Sequence, residues 1–198
     1  MTEEFELLLA DHVRGRALDR LLLYAELVER WGARHNLVRF SCRRELVERH
    51  LVESLSGCEV LGPRGRLLDV GSGAGLPGVP VLAARPGWSG VLLEPRAKRW
   101  AFLRAVIREL ALDATAERQR YESYAGSGFD AVTVRAVGGH AQIVEWSRSR
   151  LARGGRVMLW TTEKGVAELR SLCGWRVVSS PLPGLERGML AQLTPCFT

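Results

Sequence analysis

Apolar residues recur at helical spacing over roughly the first 60 positions of the chain. Two stretches carry the pattern, one from Leu18 to Trp31 and one from Leu46 to Leu55. In both, apolar side chains fall at positions i, i+3 and i+4, which places them on one face of a helix. No convincing strand interrupts this part. The pattern predicts an N-terminal helical cap over residues 1–60.

From Arg66 onward, short apolar runs bounded by Gly, Pro and Asp alternate with longer helical stretches. The predicted strands are 67–70, 90–93, 114–118, 129–134 and 156–160, and the predicted helices are 78–85, 97–110, 140–151 and 163–172. This alternation is typical of an α/β domain with a doubly wound, mostly parallel sheet. Residues 175–180 and 189–193 predict a terminal strand pair that adds an antiparallel edge. The second unit is therefore expected over residues 61–198.

Composition supports a globular protein of 198 residues, 46% of them hydrophobic. No apolar run approaches the roughly 18–20 residues needed to span a bilayer, and the acidic start lacks the layout of a signal peptide. The four cysteines are scattered without a C-x-x-C pair, so neither a metal site nor a disulfide framework is expected. We therefore expect a cytoplasmic protein without membrane or metal partners.

The charge is strongly basic, with a formal net charge of +6 and an isoelectric point near 9.7. Of the 28 basic residues only Lys98 and Lys164 are lysine. A positive surface favours a polyanionic partner such as a nucleic acid. An arginine-rich composition produces the same excess, so charge alone does not choose between the two.

The segment from Asp69 to Gly78 runs from an apolar strand directly into glycines and then into a helix. Such a loop lets the backbone approach a ligand at the carboxyl edge of an open α/β sheet. A nucleotide-like cofactor is therefore expected, held by Asp69, Gly71, Gly73, Gly75 and Leu76.

Two cofactor chemistries compete for this loop, because Gly73 to Gly78 also fits the G-x-G-x-x-G spacing of dinucleotide binders. Against that reading, the triplet starts two residues late, and Pro77 and Pro80 crowd the helix start where a pyrophosphate needs free N–H groups. The Asp69 carboxylate would repel a pyrophosphate but attract the cationic sulfonium of S-adenosylmethionine. Glu94, at the end of the second strand, can bind ribose hydroxyls in either case.

Several motifs in order along the chain resemble the RsmG family, also called glucose-inhibited division protein B, whose members methylate guanine N7 in small-subunit ribosomal RNA. The most specific is the run from Asp69 to Pro80, with its Leu-Pro-Gly-x-Pro continuation. Further matches are Trp31 through Asn36-Leu37, Arg49 to Leu55, Lys98-Arg99, Phe129 to Ala136, and Lys164-Gly165. Val38, Glu53 and Val134 depart from the family pattern.

The resemblance implies a class I methyltransferase-like fold, S-adenosylmethionine as cofactor, ribosomal RNA or the small ribosomal subunit as partner, and a set of site residues. The cofactor residues it implies are Gly71, Leu76, Glu94, Pro95, Arg96, Tyr121, Glu122 and Arg135. It favours Arg135 and Lys164 as the residues at the reacting centre. It favours His50 as a residue that orients the cap or contacts RNA. The basic residues Arg43, Arg44, Arg49, Lys98 and Arg99 are expected to bind RNA phosphates if the mouth of the pocket lies beside them, and otherwise to be solvated helix faces.

The expected chemistry needs no general base, because guanine N7 carries an exposed in-plane lone pair. In agreement, Val134-Arg135-Ala136 follows the fourth strand in place of the Asn/Asp-Pro-Pro-Tyr element of exocyclic-amine methyltransferases. The alternatives are a methyltransferase acting on another RNA position or on a small molecule and, from a different class, a nicotinamide-dependent oxidoreductase or dinucleotide sensor.

Overall fold

A seven-stranded sheet forms the centre of the protein in the computed structural model, which describes residues 2–35 and 37–196, without the side chains of 2, 4 and 33–35. The strands are β1 Gly65–Val70, β2 Trp88–Leu93, β3 Ala114–Glu117, β4 Phe129–Arg135, β5 Leu151–Thr162, β6 Trp175–Pro181 and β7 Gly188–Pro195. Their order is β3-β2-β1-β4-β5-β7-β6. The first five strands pair in parallel, and β7 lies antiparallel between β5 and β6. The predicted doubly wound, mostly parallel sheet is confirmed.

Helices cover both faces of the sheet. Successive strand residues point to opposite sides, so apolar neighbours in a strand pack against helices on both faces. The connecting helices are α5 Gly78–Ala84, α6 Ala97–Glu109, α7 His140–Arg148 and α8 Glu163–Arg170. Leu67 and Leu92 join one buried cluster with α5 and α6, whereas Leu68 and Leu93 join the other with α7 and α8. Both faces of the parallel strands are therefore buried, which explains their nearly continuous apolar runs.

The N-terminal helices pack on the α5–α6 face. They are α1 Thr2–Leu9, α2 Arg16–His35, α3 Arg43–Leu46, a π-helix at Val47–Val52, α4 Glu53–Leu55 and a 3-10 turn at Ser56–Val60. Phe5, Tyr24 and Leu51 are fully buried in the same cluster as Leu67 of the sheet. Because one core runs through both parts, the division at residue 60 stays a prediction. Asn36, part of one family motif, lies outside the described residues.

The predicted boundaries between the helix at 140–151 and the strand at 156–160 are wrong. The helix expected at 140–151 ends at Arg148, and Leu151 already belongs to β5. The β4–β5 register pairs Phe129 with Leu151 and then shifts before Ala131 pairs with Arg156. This irregularity contains Gly154, whose φ is +81°. It interrupts the alternation of apolar and polar residues by which a strand is recognised in a sequence.

Candidate cofactor and substrate site

The candidate site lies where four loops meet at the carboxyl edge of the sheet. Val70 is in register with Leu93 on one side and with Val134 on the other, and Leu93 is in register with Glu117. The loops that follow β1, β2, β3 and β4 therefore begin side by side. Open α/β sheets bind their ligands at this edge.

The three glycines after β1 have left-handed backbones, with φ of +69° at Gly71, +59° at Gly73 and +99° at Gly75. Their surroundings differ. A Cβ atom would lie 2.6 Å from Val137 Cγ2 at Gly71 and 2.5 Å from Val79 Cγ2 at Gly75, so both positions are closed by protein. At Gly73 the nearest atom, of Arg99, would be 3.7 Å away. Of the three, Gly73 is therefore the one that a ligand can approach closely.

Glu94 connects the end of β2 to this loop. Its side chain is 3% exposed, Oε2 accepts a hydrogen bond from the Gly73 amide at 3.0 Å, and Oε1 accepts one from the Arg96 amide at 2.8 Å. Each carboxylate oxygen can accept a further bond. The arrangement thus holds a negative charge next to Gly73, as a ribose-binding acid requires, and leaves Pro95 and Arg96 exposed beside it.

Asp69 lies beneath the loop rather than facing its open side. The carboxyl group is fully buried, and Oδ1 accepts a hydrogen bond from the Thr133 hydroxyl at 2.7 Å. Oδ2 has no hydrogen-bond partner among the residues that the structure describes. Burial raises the pKa of Asp69 to about 6, although the Thr133 and Ser72 hydroxyls and the Gly78 amide lower it. Asp69 therefore supports the loop from below. It would influence a bound sulfonium by holding the loop in place rather than by direct contact.

The raised pKa makes a testable pH prediction. Because the folded-state pKa of Asp69 is above its unfolded value of 3.8, the associated stability is present below that value and is lost as the pH rises through about 6. The loss is on the order of 3 kcal/mol for two pKa units. The free energy of unfolding of wild type should therefore fall, relative to that of Asp69→Asn, as the pH rises from 4 to 7.5. Urea denaturation of both proteins across this range measures the difference. A pH-independent difference would contradict the prediction.

Tyr121 and Glu122, expected beside an adenine ring, form a 3-10 turn after β3. Glu122 is exposed and Tyr121 is half-buried. The Tyr121 ring meets Trp146 of α7 edge-on, with centroids 5.1 Å apart. The turn therefore stands at the same edge of the sheet as Glu94, with its aromatic ring braced by α7.

Arg135, expected at the reacting centre, turns its guanidinium toward the helical cap. Nη2 lies 2.8 Å from Glu53 Oε2 in an ion pair whose side chains are 15% and 5% exposed. Nη2 also donates to the Arg49 carbonyl, and Nη1 donates to the His50 carbonyl and to Ser54 Oγ. Burial lowers the pKa of Arg135, and Glu53 opposes that shift. Arg135 thus ties the end of β4 to the cap.

The π-helix at Val47–Val52 supplies the backbone acceptors of this ion pair. Its wider turn presents the Arg49 and His50 carbonyls to the guanidinium, and π-helical turns are frequent at functional sites. Arg135 Nη2 lies 3.1 Å from His50 Nδ1, while His50 Nε2 lies 3.2 Å from the Arg39 carbonyl. With Nδ1 accepting and Nε2 donating, both contacts are satisfied by a neutral imidazole. Burial and Arg135 lower the pKa of His50, which favours that form.

A second contact joins the cap to the glycine loop. Tyr24, fully buried on α2, donates its hydroxyl hydrogen to the Ala74 carbonyl at 2.7 Å. The cap therefore contacts the glycine loop through Tyr24 and the end of β4 through Glu53. Neither contact was predicted from the sequence. Glu53 and Ser54 belong to the Arg49–Leu55 family motif, but their partner Arg135 is more than 80 residues away in the sequence.

The expected RNA contacts fall into two groups. Arg43, Arg44 and Arg49 each pair with a carboxylate of the cap: Glu29 at 2.9 Å, Glu48 at 2.7 Å and Glu45 at 3.4 Å. Lys98 and Arg99, on the first turn of α6, form no ion pair within the described part of the chain. The second group therefore has more charge available for phosphate.

A cleft lies beside the glycine loop, between the start of α7 and one side of α8. Its volume is about 590 Å³, and it is lined by residues 136–142 together with Gly165, Glu168 and Leu169. Ala136, with φ of +54°, turns the chain after Arg135, and Val137 then covers Gly71. Lys164 is exposed on the first turn of α8, where Thr162 caps the helix. In the sequence, the Gly138-Gly139 pair marks the loop that lines this cleft, but no pocket was predicted from it.

These features fit S-adenosylmethionine, since the site combines an open approach at Gly73 with a buried carboxylate at the end of β2. Two further observations concern the described ranges 2–35 and 37–196. No three His, Cys, Asp or Glu residues there are grouped as metal ligands. No helix there has the length and apolar character to cross a membrane.

Comparison with protein families gives a match over residues 17–174 to the family described as GidB, rRNA small subunit methyltransferase G. Curated relatives named ribosomal RNA small subunit methyltransferase G extend the match. The chain is 34% identical over 178 residues to that of Neisseria gonorrhoeae (strain NCCP11945), covering 86% of this chain and 84% of the relative. It is 36% identical over 183 residues to that of Paramagnetospirillum magneticum, covering 91% and 88%.

Solved structures share the fold at low sequence identity. A ribosomal protein L11 methylase from Lactobacillus delbrueckii subsp. bulgaricus aligns with a TM-score of 0.63 at 11% identity, over 80% of this chain and 81% of that one. The TYW2 protein of M. jannaschii, solved in complex with AdoMet, aligns with a TM-score of 0.63 at 12% identity, over 81% and 79%. These likenesses confirm the methyltransferase-like architecture.

Proposed function

Since the chain belongs to the rRNA small subunit methyltransferase G family, we propose that it methylates N7 of a guanine in small-subunit ribosomal RNA, with S-adenosylmethionine as methyl donor. The observation that carries the proposal is the glycine loop of the matched region, with Gly73 open to a ligand and Glu94 beside it. The substrate would place the enzyme in the cytoplasm. The nicotinamide alternative is dropped, because the family match covers the loop on which it rested.

In the proposed site, the chain binds and orients the reactants, and no side chain removes a proton. S-adenosylmethionine, when bound, supplies a methyl group made electrophilic by its sulfonium. Glu94 would accept the ribose hydroxyls, and the backbone around Gly73 would lie against the cofactor. Val137 would close the site beside Gly71. The contribution of the chain would be to hold N7 in line with the methyl carbon and the sulfur, so that a bond to N7 could replace the bond to sulfur without removal of a proton.

Arg135 acts in this proposal by holding the β4–α7 loop. Its guanidinium is fixed by Glu53 and by the π-helix, and the chain turns at Ala136 immediately afterwards. Val137 is thereby placed over the glycine loop. A direct contact of Arg135 or Lys164 with the reactants stays a prediction. Lys164 is exposed beside the cleft, where its ammonium group could reach an RNA phosphate.

The proposed function is tested by transfer of a labelled methyl group. Purified small-subunit ribosomal RNA, intact small subunits and large-subunit ribosomal RNA are each incubated with the protein and methyl-labelled S-adenosylmethionine. Label is expected in the small-subunit substrates, with large-subunit RNA as the matched negative control. Equal labelling of both RNAs would contradict the substrate assignment, and absence of label from every RNA would contradict RNA methylation.

RNA binding should depend on Lys98 and Arg99 more than on the ion-paired arginines of the cap. Replacing both by alanine should flatten the plot of log K against log salt by about one unit per lost phosphate contact. Filter binding of purified small-subunit ribosomal RNA at several salt concentrations measures the slope. Arg44→Ala is the control, because the Arg44 charge is already paired with Glu48. An equal flattening in both variants would show that ion pairing does not distinguish the two groups.

A further inference from the structure

The cleft between α7 and α8 has properties that suit a purine base. Its volume of about 590 Å³ lies within the range of about 300–1,000 Å³ found for small-molecule sites. Apolar groups of Ala136, Val137 and Leu169 line it, and they suit the faces of an aromatic ring. Glu168 of α8 adds a carboxylate to the lining. A base inside an RNA stack must leave that stack before an enzyme can act on it, so a separate pocket is needed.

The Glu168 carboxylate is available to a ligand. It is exposed, and in the part of the chain that the structure describes it takes part in no ion pair. Lys164 stands one turn earlier on the same helix, and the described residues show no salt bridge between the two. An unpaired carboxylate in a basic protein that binds RNA would repel phosphate, so its place in the cleft favours a ligand with hydrogen-bond donors.

The two walls of the cleft give a bound base a direction. Val137 is on the wall next to the cofactor loop, since a Cβ atom at Gly71 would lie 2.6 Å from its Cγ2. Glu168 is on the α8 wall. Guanine carries two donors, N1–H and the N2 amino group, on its Watson–Crick edge, and N7 lies on the other ring. With that edge at the α8 wall, N7 points toward the wall formed by Val137, on the side of the glycine loop.

We propose that this cleft receives the target guanine and that Glu168 recognises its Watson–Crick edge by accepting hydrogen bonds from N1–H and N2–H. The inference rests on the proposed function and adds the residue that selects the base. A carboxylate matches this pair of donors, whereas adenine has an acceptor at N1 and cannot form both bonds. Glu168 is thus a specificity-determining residue, and the cleft is the base subsite.

The test compares Glu168→Gln with Glu163→Gln, a charge-matched control on the exposed first turn of α8. Methylation of purified small-subunit ribosomal RNA should fall about 10- to 100-fold in kcat/KM for Glu168→Gln, the range expected when one bidentate base contact is lost. It should change little for Glu163→Gln. Calorimetric affinity for S-adenosylmethionine and the unfolding midpoint should stay at wild-type values in both variants.

A change of substrate gives a second measurement. If Glu168 had only a structural role, its replacement would not alter the effect of this change on kcat/KM. Once the methylated guanine is mapped, small-subunit RNA is assembled with inosine, which lacks the N2 amino group, at that position. Wild type should lose several-fold in kcat/KM on inosine RNA, and Glu168→Gln should lose less. Equal kcat/KM for Glu168→Gln and Glu163→Gln, an equal inosine effect in both enzymes, or loss of cofactor affinity in Glu168→Gln would overturn the proposal. If wild type methylates no guanine N7, the proposed function itself fails.

Discussion

Replacing Arg135 with methionine should lower the free energy of unfolding by ~3–5 kcal/mol, because the change leaves Glu53 as an unpaired buried charge. The two side chains are 15% and 5% exposed, so water does not replace the lost partner. Loss of the guanidinium also removes a hydrogen-bond donor from the carbonyls of Arg49 and His50. Urea denaturation at neutral pH measures the loss.

Two controls separate this effect from a general loss of charge. Arg44→Ala removes an exposed ion pair with Glu48 and should change the unfolding free energy by about 0–1 kcal/mol. Adding Glu53→Gln to Arg135→Met should restore part of the stability, since the stranded charge is removed. A loss for Arg135→Met no larger than that for Arg44→Ala would show that the buried pair does not anchor the cap.

Arg135→Met should also lower methyl transfer more than RNA binding, at a temperature where the variant is fully folded. The physical reason is that the β4–α7 loop begins immediately after Arg135 and places Val137 over Gly71. Displacing the loop would alter the approach of the two reactants without removing a phosphate contact. Equal losses of turnover and of RNA affinity would contradict this role for the loop.

Replacing Gly73 with valine should abolish binding of S-adenosylmethionine while the protein still folds. The new side chain would enter the open space above the loop, since the nearest atom to its Cβ is 3.7 Å away. We expect an affinity loss of at least about 100-fold, equivalent to ~2.7 kcal/mol, by calorimetric titration. A valine at φ of +59° also costs ~1–2 kcal/mol of backbone strain.

Gly184→Val is the matched control for that strain. Gly184 has φ of +71° and no atom within 4 Å of an added Cβ, and it lies in the turn between β6 and β7. The two variants should lose similar stability, but only Gly73→Val should lose the cofactor. Wild-type affinity in Gly73→Val would place the cofactor elsewhere, and equal losses in both variants would make strain the cause.

The sheet could be predicted from the sequence because its signals are local. The strand cores of β1, β2 and β4 are apolar runs that end in Gly, Glu or Arg, and the structure extends each by two residues at most. The start of β5 at Leu151 was missed, since its register shift and glycine break the alternation there. The π-helix gives no pattern distinct from that of an ordinary helix.

Site residues were harder to predict, because side-chain direction depends on distant partners. Glu94 was chosen from its position after β2, and the structure places it against the Gly73 amide. Asp69 was also chosen from position, but its side chain points beneath the loop toward Thr133. The partners of Arg135 lie more than 80 residues earlier in the chain, and no spacing rule connects such positions.

The identity of the methylated atom tests the central claim most directly. Small-subunit ribosomal RNA labelled by the protein is reduced with borohydride and treated with mild aniline, which opens and cleaves RNA at N7-methylguanine. The proposal predicts strand scission at a guanine in RNA treated with wild type and none in RNA treated with Gly73→Val. Methyl label in the RNA without any scission site would show that N7 is the wrong atom.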